Sequence, residues 1–122
     1  METVAVVGAS RDRRKFGNKA VRGFRHAGYR VAPINPCGGA IEGLQSYPSL
    51  RDVPYAIDMA SFYVPPEIGV QLVDEVAGLG IPTLWLNPGA DGPDVVRRAR
   101  ELGLEPVIGC SMIRIGESPA SY

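Results

Sequence analysis

The residues best suited to chemistry lie together near the start of the chain. In T-V-A-V-V-G-A-S-R-D-R-R-K-F-G-N, Thr3 to Asn18, an apolar run stops at Gly8, and the loop that follows carries the Ser10 hydroxyl and four cations, Arg11, Arg13, Arg14 and Lys15, within five residues. Glycine permits a sharp turn and close approach to the backbone. A hydroxyl and several cations on such a turn suit a diphosphate or a phosphorylated ribose. The spacing excludes two phosphate loops. After Gly8 the next glycine is Gly17, which breaks the G-x-G-x-x-G dinucleotide fingerprint, and Lys15 is not part of a G-K-[ST] run. The same composition also fits a solvated basic turn with no nucleotide.

Outside this loop the chemistry-bearing residues are scattered. His26 is the only histidine; it sits by the C-terminal end of the first helix, where a cation is favoured, and reads as structural. With only His26 available, placed at the far end of the first helix, no Ser-His-Asp set can be assembled around a crevice. Asp58, within the third strand, reads as a carboxylate hydrogen-bonded at the sheet's edge rather than a buried one with a raised pKa. Asp74 and Glu75 are adjacent on a helix, point in different directions and form no acid and base pair. Trp85 reads as core, and Arg97, Arg98 and Arg100 as a solvated helix face. Cys37 and Cys110 are too few and too far apart for a metal motif and read as free thiols of a reducing compartment. Cys37, on the second-strand loop, reads as inert; Cys110, after the fifth strand, is better placed to meet a thiol cofactor.

The totals bound the rest. One hundred and twenty-two residues make one domain, 1–122, with a polar tail over 115–122. Thirteen basic and 13 acidic side chains cancel, so bulk charge points to neither nucleic acid nor an anionic membrane as partner. No apolar run approaches the ~20 residues of a spanning helix, and Met1 leads directly into the first strand, so the expected location is cytoplasmic.

The loop needs a scaffold. Val4 to Val7 is a continuous apolar run, as in a central parallel strand covered on both faces. Gly17 to Ala27 reads as a helix stopped by Gly28, with Gly23 inside it marking close approach to the sheet. Tyr29 to Ile34 is the second strand and ends in N-P-C-G-G; one helical turn fits before Pro54. Ala56 to Val64 is the third strand, closed by Pro65-Pro66. From Pro66 the period turns helical through Ile68, Leu72, Val73 and Val76, as far as Gly78 and Gly80. Thr83 to Leu86, a helix from Asp91 to Leu102, and Glu105 to Ile108 complete the alternation. Strands alternating with helices imply an α/β fold, a doubly wound parallel sheet with helices on both faces. The expected order is 3-2-1-4-5, with the Gly8 and Asn87 loops flanking one crevice at the switch point.

The second-strand end, Pro33-Ile34-Asn35-Pro36, lacks the carboxylate that would hold an NAD ribose. Neutral Asn35 tolerates a ribose phosphate, as in NADP or coenzyme A. The series V-V-G-A-S, K-F-G, G-Y-R-V-A-P-I-N-P, I-E-G, Y-P-S-L-R-D-V-P, I-D-M-A-S-F-Y-V-P-P-E, V-D-E and L-W-L-N-P-G resembles, in order and spacing, the small stand-alone coenzyme A-binding domain family. That family is similar to the N-terminal domain of the succinyl-CoA synthetase α subunit. The resemblance runs from about Thr3 to about Ile115 and implies a three-layer Rossmann-like fold of five parallel strands. It further implies that Gly8, Ala9, Ser10 and Lys15 meet phosphates, that Asn35 and Pro36 meet the adenosine end, and that Val64 and Pro65 line the crevice. Leu86, Asn87 and Pro88 would lie along the pantetheine or diphosphate. Three positions depart from the pattern: Cys37 stands where many members have lysine, N-P-G replaces Q-L-G or Q-S-G, and Cys110-Ser111-Met112 replaces D-R-C.

The expectation is therefore a module that binds coenzyme A or an acyl-CoA without metal and without catalysis. Two alternatives are an NADP- or other nucleotide-dependent enzyme using the same crevice, and a ligand-free scaffold acting through a protein partner. A homodimer is compatible with an apolar helix face.

Overall fold

The computed structural model describes all residues, 1–122. Its central sheet holds β1 (Thr3–Val7), β2 (Arg30–Ile34), β5 (Met59–Phe62), β6 (Thr83–Leu86) and β7 (Val107–Ile108). Between them run helices α1 (Phe16–His26), α2 (Pro66–Gly78) and α3 (Pro93–Glu101), and a short α4 (Ser111–Arg114) follows the last strand. A two-stranded hairpin, β3 (Ala40–Ile41) and β4 (Leu44–Gln45), lies in the connection from β2 to β5.

All five residues of β1 are buried because both faces of the sheet are covered. Val4 and Val6 pack with Ala20, Val21 and Phe24 of α1 and with Met112 of α4. Ala5 and Val7 pack on the opposite side with Val73 and Val76 of α2 and Val95 and Ala99 of α3. The same alternation sorts β6, where Leu84 and Leu86 enter the α2–α3 core while Trp85 packs at the edge of the α1 core. This is the expected three-layer, Rossmann-like α/β fold.

The strand order differs from the expected one. All pairs in the sheet are parallel, and the order is β2-β1-β5-β6-β7, so the third strand in the chain lies beside the first and not outside the second. Proline explains the difference. Pro33 in β2 has no N–H to give a ladder and belongs on an edge strand. Its carbonyl accepts from the Tyr47 amide at 2.9 Å, on the side away from β1. An order that buried the second strand between two others would have placed this proline inside the ladder. The small, fully buried Ala60 and Ser61 of β5 suit a central position.

One further expectation is corrected. Gly23 does make room, but for Met112 of α4: a Cβ there would meet the methionine's terminal methyl and not the sheet. The polar tail folds back onto the domain. A turn of 3-10 helix, Pro119–Ser121, brings Tyr122 onto α1, where the Arg22 guanidinium lies over its ring at 5.5 Å.

Candidate functional site

With β1 beside β5, the switch point lies between these two strands, and a crevice of about 510 Å³ opens at their carboxyl ends. One wall is the β1 loop with the start of α1. The opposite wall is Tyr63, Val64 and Pro65 after β5, and Pro88 to Ala90 after β6 extends it.

The β1 loop is shaped by close backbone approach. Gly8 has φ +96°, and its amide and that of Ala9 both reach the Ile34 carbonyl, at 3.3 and 3.2 Å. A Cβ on Gly8 would lie 2.8 Å from the Tyr63 carbonyl oxygen. A Cβ on Gly17 would overlap the carbonyl oxygen of Gly8, so the first turn of α1 lies directly on the loop. Gly17 thus serves the close packing of helix on strand end, although it stands outside the G-x-G-x-x-G spacing. No acidic residue occupies that first turn and no side chain caps it, which leaves the positive end of the helix facing the crevice.

The loop's four cations divide in two. Arg14 is bound to Asp12 through Nε and Nη2 at 3.0 and 2.9 Å, and this side-chain pairing, with the Arg14 amide, holds the Asp12 carboxyl down at about 2. Arg13 pairs with Glu42 at 3.5 Å. Arg11 and Lys15 have no carboxylate partner. Lys15 lines the crevice, and Arg11 donates to the Gly38 carbonyl across the gap to the β2 loop. Glu42 reaches this position from the hairpin turn and also accepts from the buried Asn18 amide at 3.0 Å, which in turn donates to the Ser10 carbonyl at 2.9 Å.

Of the expected ligand-contact residues, Gly8, Ala9, Ser10, Lys15, Asn35, Val64, Pro65 and Pro88 are brought together around the crevice. Asn35 also ties the loops: its Nδ2 donates to the Ala9 carbonyl at 2.9 Å, and its Oδ1 accepts from the Cys37 amide at 2.8 Å. Three residues lie elsewhere. Pro36 is exposed on the β2 loop outside the crevice, and Leu86 and Asn87 are buried behind its wall. Asn87 holds that wall together. Its Nδ2 donates to Ser61 Oγ and the Phe62 carbonyl, and its Oδ1 accepts from the amide and hydroxyl of Ser111, all at 2.8–2.9 Å. The Tyr63 hydroxyl joins this network through Ser111 Oγ at 3.1 Å, and burial pushes its pKa up. The sequence reading missed Phe16, Gly17, Tyr63, Gly89 and Ala90 as lining residues. Each lies within two residues of one it did choose, so widening each motif by that much would have found them.

The remaining candidates do not line the crevice. His26 pairs with Glu117 at 3.2 Å, Asp58 accepts from the Thr3 amide at 2.8 Å, and Asp74 and Glu75 face Arg98 and Arg51. Cys37 is exposed, and Cys110 and Met112 line an adjoining apolar cavity of about 70 Å³ that shares Phe16, Tyr63 and Pro88 with the crevice. Both thiols are free. Lys15 and Tyr63 are the only ionisable side chains lining the crevice. No three His, Cys, Asp or Glu residues cluster as a metal site would need, and no helix is long and apolar enough to cross a membrane.

A family model described as a CoA binding domain matches residues 2–116. An ADP-forming acetate–CoA ligase II of Archaeoglobus fulgidus is 38% identical over 109 residues, which cover 83% of this chain but 16% of the ligase. A conserved hypothetical protein from Pyrococcus furiosus superposes with a TM-score of 0.86 at 34% identity, covering 93% of this chain and 99% of its own. The acetyl-coenzyme A synthetase 1 of Candidatus Korarchaeum cryptofilum, solved in complex with phosphate and ADP, superposes with a TM-score of 0.75 at 30% identity, over 86% of this chain and 25% of the synthetase.

Proposed function

This chain belongs to the CoA-binding domain family, and from that premise we propose that it holds coenzyme A or an acyl-coenzyme A in the crevice between β1 and β5, without catalysis of its own. The observation that carries this is the composition of the crevice. The uncapped start of α1, the Lys15 ammonium and the closely packed Gly8 loop offer a diphosphate positive potential and room at the backbone. Phe16, Val64, Pro65 and Pro88 supply apolar surface for the pantetheine arm. The volume suits a cofactor. No carboxylate, imidazole or thiol lines the crevice, which supports a binding role over a catalytic one.

The chain spans a small part of the ligase it matches. It corresponds to 16% of the acetate–CoA ligase, so a share in acyl-CoA ligation would depend on the parts of such ligases outside this span. Isothermal titration with coenzyme A, NADP and ATP at fixed salt tests the proposal, repeated on Ser10→Asp and Lys15→Glu. Coenzyme A binding that both substitutions weaken, with NADP silent, is the expected result. Absence of heat and of any thermal shift at millimolar coenzyme A would overturn it and turn the search to protein partners.

A further inference from the structure

Coenzyme A presents phosphate charge in two places, a diphosphate on the 5′ side of its ribose and a monoester at the 3′ position. Lys15 and the start of α1 answer the first. The second needs a cation on the far side of Asn35, toward the β2 loop, yet that loop, Asn35-Pro36-Cys37-Gly38-Gly39, carries no charged residue.

Arg11 supplies one from the first loop. It crosses to the β2 loop, where its Nη2 donates to the Gly38 carbonyl, and it has no carboxylate partner. A guanidinium carries five N–H donors in a fixed fork, and one hydrogen bond to a carbonyl leaves most of them, and the whole charge, for an anion. Its seat is built to receive it. A Cβ on Gly39 would collide with Nη2, so the absent side chain makes the space. The loop beneath is tied down at both ends, by Asn35 to Ala9 and by Ser46, whose amide and hydroxyl donate to the Gly39 carbonyl at 2.9 and 2.6 Å. The neighbouring Arg13 and Arg14 are spent on Glu42 and Asp12, so the division of the four cations is selective.

Resting on the coenzyme A proposal above, the geometry points to Arg11 as the residue that recognises the ribose monophosphate and so distinguishes coenzyme A from its 3′-dephospho form. The recognised chemistry, a phosphate monoester on an adenosine ribose, occurs at the 3′ position in coenzyme A and at the 2′ position in NADP, and the assignment is to the 3′ ester. The test is calorimetric titration of the intact chain with coenzyme A, 3′-dephospho-coenzyme A, NADP and NAD. A charge-assisted contact predicts that the wild type prefers coenzyme A over the dephospho form by about tenfold. In Arg11→Ala the preference collapses to about twofold or less through loss of that contact, while affinity for the dephospho form is unchanged. Arg11→Glu favours the dephospho form, and Arg14→Ala keeps the wild-type preference. Equal wild-type affinity for the two coenzyme forms, or an undiminished preference in Arg11→Ala, overturns the assignment while leaving the coenzyme proposal intact. A preference for NADP over NAD with no preference between the coenzyme forms moves the contact to a 2′ ester and also overturns it. No binding of either coenzyme form overturns the underlying proposal and this assignment together.

Discussion

Two depressions of nearly equal size lie at opposite ends of the strands, about 510 Å³ at the carboxyl end and about 480 Å³ at the amino end. Volume does not choose between them; charge and backbone do. At the carboxyl end α1 begins without an acidic residue in its first turn, two cations lack carboxylates, and Gly8 and Gly17 bring bare backbone together. At the amino end the same helix finishes, and its C-cap Ala27 lines the groove, which brings the negative end of the helix dipole there. Glu2 and Asp58 add carboxylates there, and Arg114 is the one cation. Tyr29 registers this environment, its pKa raised by burial and then by the Glu2 charge. A phosphate is attracted at one end and repelled at the other by the same helix.

The sharpest way to break this contrast is a pair of glycine substitutions with matched backbone strain. Gly8 has φ +96° and Gly28, after α1, has φ +94°, but only Gly8 has neighbours where a Cβ would go. Gly28→Ala is expected to cost about 1–2 kcal/mol from the left-handed backbone alone. Gly8→Ala adds the collision with the Tyr63 carbonyl and should exceed about 3 kcal/mol in denaturant unfolding. Equal costs would show that the Gly8 loop is not closely packed.

A smaller effect is expected from the polar residue behind each end. Asn87→Leu strips partners from Ser61, Ser111 and the Phe62 carbonyl, all within a buried network, and should cost about 2–3 kcal/mol. Asp58→Asn keeps an oxygen for the Thr3 amide and should stay within about 0.5 kcal/mol. Chemical denaturation of both variants checks the difference. Charge reversal then separates the two ends by ligand affinity: Lys15→Glu is expected to weaken coenzyme A about tenfold or more, whereas Arg114→Glu leaves its titration unchanged.

The smallest effect concerns the tail. The Tyr122 hydroxyl, and secondarily His26, hold the Glu117 carboxyl below its ordinary 4.5. A depressed folded-state pKa stabilises the docked tail above the ordinary value and is lost as pH falls through the lower one. The Tyr122 ring resonances should therefore move on acidification below pH 4.5, while crevice amides near Gly8 do not. Tail release above that pH would contradict the sign.

Much of this was legible in the sequence, because period and punctuation are local. The run Val4 to Val7, the Pro66 helix start and the Thr83 to Leu86 strand have the bounds or the pattern that the residues indicate. Strand order is not local, and Pro33 signals it only through the rule that proline belongs on an edge strand, which strand periodicity does not contain. The hairpin has two residues per strand, too few for any alternation to register. Its loss hid Glu42, and with it the fact that Arg13 is already paired. The family resemblance sets Asn87 along the pantetheine or diphosphate. It is buried because Ser111, 24 residues later, folds back under it, a contact that no spacing rule anticipates.

The claim that the carboxyl end is the ligand end is tested most directly by mapping amide shifts while coenzyme A is titrated into the isotopically labelled chain. The expected result is saturable movement at Gly8, Ser10, Gly17, Val64 and Gly89, with Glu2, Tyr29, Asp58 and Arg114 still. Movement confined to that second set would place the ligand at the amino end and contradict the account.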